Sequence, residues 1–177
     1  AGREAAPLRR EPAVFAEIQD AWAKGEGSPV AGVALLEWFT TRKDRPAGEA
    51  VCRKLLERDD LTEALTQRTL ALVEKAGWND VTLLAQERLA RRSPFQHQRM
   101  LDWARALHDA GRIDDALGVL EEFGARTVFQ EQLSGDLART LLDFGEVRRA
   151  REYFERAVRA DPSARNYRVH LDFARLL

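Results

Sequence analysis

Gly111-Arg-Ile-Asp-Asp-Ala116-Leu returns 34 residues later as Gly145-Glu-Val-Arg-Arg-Ala150-Arg. The same interval before Gly111 lands on Gly77, and Pro94 and Pro162 are separated by twice that interval. Each of these glycines follows one apolar-periodic run and precedes another. Glycine tolerates the left-handed conformation that closes a helix C-terminus, so each one predicts a tight turn between two helices. A period shared by three residue types marks internal repeats, in which one supersecondary unit recurs and buries its apolar face against its neighbours.

The runs between the glycines are rich in alanine, leucine, arginine and glutamate, all strong helix formers. No Val/Ile/Thr-rich alternating segment with hairpin turns occurs. Ser28-Pro29 and Ser93-Pro94 each place a capping serine before a proline at the first helical position. Thr127-Val-Phe-Gln130 has capping-box spacing, and Asn79 is a candidate cap. The pattern predicts ten helices: 12–24, 30–42, 47–57, 62–76, 79–92, 94–110, 113–124, 128–144, 147–160 and 164–177. Connections of two to five residues make neighbours antiparallel. Residues 1–11 read as a loose lead-in, and residues 12–177 as a single array.

Composition narrows the function classes. The chain has 177 residues, 28 basic and 29 acidic, for a net charge of −1. That balance gives no electrostatic reason to seek nucleic acid. No apolar run approaches the roughly 20 residues of a membrane helix, so no direct membrane insertion is expected. A single cysteine, Cys52, precludes an internal disulfide and reads as a small buried hydrophobe. His97 and His108 lie roughly 16 Å apart along one helix, too far to share a metal ion. No phosphate-binding loop, dinucleotide fingerprint or nucleophile elbow is present. The expectation is therefore no metal, no cofactor and no catalysis. Only four of the basic residues are lysine, an arginine bias typical of a GC-rich bacterial genome. The chain opens at Ala1 and holds one methionine, Met100, so a processed chain or a piece of a longer one is expected.

Period and pattern together resemble the tetratricopeptide repeat. The clearest unit is 131–164, where Leu137-Ala138 and Leu141 match the first helix. Ala150, Phe154, Ala157 and Pro162 match the second. The unit 97–130 follows with Trp103-Ala104, Leu107, Ala116 and Leu120. The unit 63–96 keeps Leu70, Val73, Gly77 and Pro94, and 165–177 reads as a truncated first helix. Val33 to Leu56 reads as a hairpin of similar length without the punctuating glycine. The resemblance implies an all-α fold, a right-handed superhelical solenoid of antiparallel helix pairs. It also implies a non-enzymatic scaffold for protein partners, held along the first helices on the concave side.

Carried over residue by residue, the groove candidates are Gln98, Leu101, Arg105 and His108; then Gln132, Arg139 and Leu142; then Asn166, Val169 and Phe173. The arginine-rich, degenerate repeat style further resembles the periplasmic arrays of bacterial exopolysaccharide export proteins of the Pel, alginate and cellulose type. That implies recruitment of polysaccharide-modifying enzymes in biofilm export. A secretion chaperone or a cytoplasmic assembly adaptor clasping a peptide is the alternative. In the last helix, Tyr167, Leu171, Ala174 and Leu177 form one apolar stripe, read as facing inward. Val169, Phe173 and Leu176 form the other, read as open to an absent helix or to self-association.

Overall fold

The computed structural model describes residues 12–93, 96–126, 131–160 and 167–177. These form ten helices. In order they are α1 (Pro12–Ala23), α2 (Pro29–Arg42), α3 (Arg45–Leu56), α4 (Glu63–Ala76), α5 (Asn79–Arg92), α6 (His97–Asp109), α7 (Ile113–Arg126), α8 (Glu131–Asp143), α9 (Val147–Ala160) and α10 (Tyr167–Leu176). There is no strand among the described residues. The expected elements are all present, and where the expected end falls on described residues the bounds agree to within two residues.

Local chemistry accounts for the starts. Ser28 Oγ accepts the Ala31 N–H at 3.2 Å ahead of Pro29, and Thr62 Oγ1 accepts the Leu65 N–H at 3.3 Å. Asp44 serves α3 in the same way through Ala47. Asn79 proves to be the first helical residue rather than the cap, since the Trp78 carbonyl already accepts the Thr82 N–H. The expected capping box at Thr127–Gln130 and the prolines Pro94 and Pro162 lie outside the described residues.

The ends show the period directly. Gly77, Gly111 and Gly145 all have positive φ, and each closes its helix with the same pair of backbone bonds. At Gly111, for instance, its own N–H reaches the His108 carbonyl and the Arg112 N–H reaches that of Leu107, both at 2.9 Å. A fourth copy of this turn lies 34 residues before Gly77, at Lys43. Its φ is 59°, and Lys43 and Asp44 make the same two bonds back to Thr40 and Phe39. A side chain in the left-handed region is strained by roughly 1–2 kcal/mol. Lys43 is exposed and its side chain is not packed in a core. Lys43→Gly is therefore expected to stabilise the protein by about 1 kcal/mol, after allowing for glycine's greater unfolded entropy. A thermal melt checks this; a lower melting temperature would contradict it.

The chain divides at Ala85/Gln86 into two compact units, each with its own core. In the first unit, Leu35, Leu36, Leu55, Leu61, Val73 and Val81 are fully buried together with Phe15, Trp22 and Trp78. Two glycines let tryptophans in. The Trp22 ring occupies the space a Cβ at Gly32 would fill, and the Trp78 ring does the same at Gly48. In the second unit, α6 packs chiefly on α7 and α8 chiefly on α9. Ala104, Ala116, Ala138, Ala150 and Ala157 are all fully buried. Small residues at these positions let paired helices approach closely. Phe154 is the largest fully buried side chain and joins Ala138, Ala157 and Val169 in one cluster.

Candidate functional site

The second unit brings part of the expected groove together. A concave space of about 500 Å³ is lined by Arg105 from α6, by Arg139, Leu142 and Asp143 from α8, and by Arg168, Asp172, Arg175 and Leu176 from α10. Four arginines against two aspartates make its lining cationic. The apolar part of the wall is leucine.

Three of the arginines are held in a repeated way. Arg105 Nη1 lies 3.3 Å from Asp102, and its Nη2 donates to Thr140 Oγ1 of α8 at 3.0 Å. Arg139 Nη1 donates to Asp136 at 2.9 Å, and its Nε donates to Asp172 of α10 at 2.7 Å. Arg175 Nη1 lies 3.9 Å from Asp172. Each of the three thus meets an acid three residues earlier on its own helix, and Arg105 and Arg139 also reach the next first helix. The (i, i+3) spacing puts both partners on one helix face. Exposed pairs of this kind contribute little, but Arg139 and Asp172 are both about three-quarters buried and form the firmest link of the ladder. Among the described residues Arg139 Nη2 is buried and has no hydrogen-bond partner, and Arg168 makes no ion pair. Arg168 and Arg175 are both exposed at the α10 wall of the groove.

The ladder has a sequence signature that the 34-residue period obscured. Asp102-Trp-Ala-Arg-Ala-Leu107, Asp136-Leu-Ala-Arg-Thr-Leu141 and Asp172-Phe-Ala-Arg-Leu-Leu177 are three copies of one motif. The third is offset by 36 residues rather than 34, which hid Arg175 and Asp172 from a search at fixed spacing. Arg168 has no such signature and was missed for that reason.

Of the expected groove residues, Arg105, Arg139 and Leu142 line the space. Gln98 is exposed and donates to Asp102 at 2.8 Å, so it supports the ladder. His108 stacks on Phe144 with ring centroids 4.1 Å apart, which fixes its ring against α8's end. Leu101 and Val169 must be corrected, because both are core residues and cannot touch a ligand. Val169 sits over Gly135, whose missing side chain makes room for it. Phe173 is half-buried and stacks on Phe154, with centroids 6.2 Å apart. The two stripes of α10 are therefore the reverse of the expectation. Val169, Phe173 and Leu176 face the protein, while Tyr167, Leu171, Ala174 and Leu177 face solvent. Both stripes have helical spacing, so periodicity alone had no means of choosing; the pocket above Gly135 and the Phe154 ring decide it. Asn166 lies outside the described residues, as does the side chain of Gln132.

Cys52 is fully buried on α3. Burial pushes its thiol from 9.0 up to about 12, with the nearby Arg53 pulling the other way and Glu49 adding to the rise. Its ionised form is disfavoured in the fold, as expected of a packed hydrophobe. An unfolded thiol ionises first on raising the pH. The folded state is thus unaffected below pH 9.0 and loses stability progressively from there toward about 12. Urea melts of the protein and of Cys52→Ala at pH 8 and 10.5 check this. The wild-type midpoint should fall more steeply with pH than that of the variant, and parallel falls would contradict it.

No group of three metal-ligating side chains occurs among the described residues, and no helix there is long and apolar enough to cross a membrane. No protein-family model matches the chain, and no curated protein is detectably similar to it.

Proposed function

We propose that this chain is a tetratricopeptide-type scaffold that binds protein. Its partner site is the groove between the first helices α6, α8 and α10, and the ligand is an acidic, extended segment. The observation that carries the reading is the convergence of Arg105, Arg139, Arg168 and Arg175 on one concave space beside Leu142 and Leu176. Guanidinium groups take carboxylates and backbone carbonyls in bidentate fashion, and leucines between them hold an apolar residue of the segment. Four closing turns at a 34-residue interval, at Lys43, Gly77, Gly111 and Gly145, support the repeat assignment. Small residues where paired helices meet support it further.

Arg139 holds Asp136 and Asp172 together, so reversing its charge would disturb the fold as well as the groove. Arg168 and Arg175 are exposed and make the cleaner test. Arg168→Glu with Arg175→Glu should leave helicity intact. Affinity for a labelled peptide of alternating glutamate and leucine should fall by roughly tenfold or more at low salt, and by less at high salt. Unchanged affinity would remove this groove as the binding site.

A further inference from the structure

The first unit carries a brace whose polarity is opposite to that of the arginine ladder. Counting back by the 34-residue period, Arg105 lands on Glu37 after two steps, and Asp102 lands on Arg68 after one. The two meet across α2 and α4, where Arg68 Nη2 donates to Glu37 Oε2 at 2.9 Å. Beside this brace lies a space of about 280 Å³, lined by Glu37, Thr40 and Thr41 of α2 and by Leu72, Lys75 and Ala76 of α4. It falls just under the roughly 300–1,000 Å³ of small-ligand pockets and suits one long side chain.

The α2 wall is a set of acceptors. Glu37, Thr40 and Thr41 have (i, i+3, i+4) spacing, which places them on one helix face. Both hydroxyls donate to the Glu37 carbonyl, at 2.9 and 2.8 Å, so their protons are committed and their lone pairs remain to accept. Arg68 occupies Oε2 of Glu37 and leaves Oε1 without a bond among the described residues. The α4 wall is different. Leu72 and Ala76 pack on the core and offer apolar surface, while Lys75 is exposed and makes no ion pair among the described residues. Thr40 and Thr41 stand in the last turn of α2, and Lys75 and Ala76 in the last turn of α4. The carbonyl ends of helices favour a cation there.

We infer that this space is a second binding site, which takes a lysine side chain of a partner segment with an acidic residue adjoining it. The lysine stem lies along Leu72 and Ala76. Its ammonium directs three donors at Glu37 Oε1, Thr40 Oγ1 and Thr41 Oγ1. Arginine fits less well, because its planar fork matches two oxygens of one group, and these three oxygens belong to three side chains. Lys75 sets the second requirement. It repels an isolated ammonium, and a carboxylate beside the incoming lysine answers it. The chemistry is the inverse of that in the cationic groove, and the inference holds whatever that groove takes.

The experiment is an NMR titration of the whole chain with a hexapeptide of sequence glycine–leucine–lysine–glutamate–leucine–glycine. Its ends are capped, so that the lysine carries the only ammonium. The titration is repeated with norleucine for the lysine and with glutamine for the glutamate. Saturable shifts are expected at the amides of Thr40, Thr41 and Lys75. Norleucine should weaken binding by roughly tenfold or more, since a charged hydrogen-bond donor is lost. Glu37→Gln should weaken the lysine peptide similarly and leave the norleucine peptide unchanged. Thr41→Val, at an exposed position, is a second variant with the same expected pattern. Glu37 and Arg68 form an exposed pair, so helicity should be kept in both variants. Lys75→Gln should weaken the glutamate peptide alone. Three results would overturn the inference: no saturable shift at these residues, equal affinity for the norleucine peptide, or losses from Glu37→Gln and Thr41→Val that are the same for both peptides.

Discussion

Phe154→Ala is expected to lower stability by about 3–5 kcal/mol, the range for emptying a fully buried aromatic site. Phe154 is the largest of the side chains with no exposure, and it stands where three helices meet. It packs on Ala138 of α8, lies beside Ala157 of its own helix, and carries both Val169 and Phe173 of α10. The alanines cannot collapse into the space without shifting the helix pair. The loss should therefore be uneven: α10 should lose its amide protection first, because its inward stripe rests on this one ring. Arg168, Asp172 and Arg175 would leave the groove with it. Chemical denaturation together with residue-resolved exchange checks the prediction. A cost under about 1 kcal/mol, or an α10 protected as before, would mean that α10 is held by something other than this cluster.

Gly48→Ala is expected to destabilise by about 1–3 kcal/mol, although alanine is the better helix former by about 1 kcal/mol. Gly48 is buried within α3, and the Cζ3–Cη2 edge of the Trp78 indole fills the position of its absent Cβ. Phe39 Cβ stands 3.3 Å from that position on another side, so the new methyl group would be crowded from two sides. The same substitution at Gly118 provides the contrast. Gly118 is exposed in α7, and nothing lies within 4 Å of the place a Cβ would take there. Gly118→Ala should therefore gain stability by up to about 1 kcal/mol. Opposite signs in the two thermal melts would separate packing from propensity. Two gains would show that Trp78 does not press on Gly48.

The helices are legible in the sequence because their stops are chemical. Gly77, Gly111 and Gly145 mark left-handed closures, and the proline and serine starts flank them. Lys43 shows the limit of reading by residue type. It makes the same closure at the same interval, and only the period could have revealed it. The first unit was least legible for a related reason. Its packing depends on tryptophans set into glycines, Trp22 over Gly32 and Trp78 over Gly48, which are contacts between distant segments with no local signature. The groove was half legible. Arg105 and Arg139 follow from the repeat register, while Leu101 and Val169 share that register and yet are buried. Which residue of a first helix faces the groove is set by helix rotation, and the choice between two apolar stripes on α10 turned on Gly135 and Phe154. Arg151 and Arg159 both pair with Glu155, although Arg156 turns onto the Tyr153 ring instead.

The ladder also links stability to recognition. Arg139 is both a brace between α8 and α10 and a wall of the groove, and it keeps Nη2 buried and unpaired among the described residues while doing so. The most direct test is an NMR titration that follows the arginine Nε–Hε signals as the glutamate–leucine peptide is added. Saturable shifts are expected at Arg105, Arg139, Arg168 and Arg175, with the arginines of α9 and of the first unit unmoved. Shifts concentrated at Arg148, Arg151 and Arg156, or no saturable shift at the four groove arginines, would contradict binding in this groove.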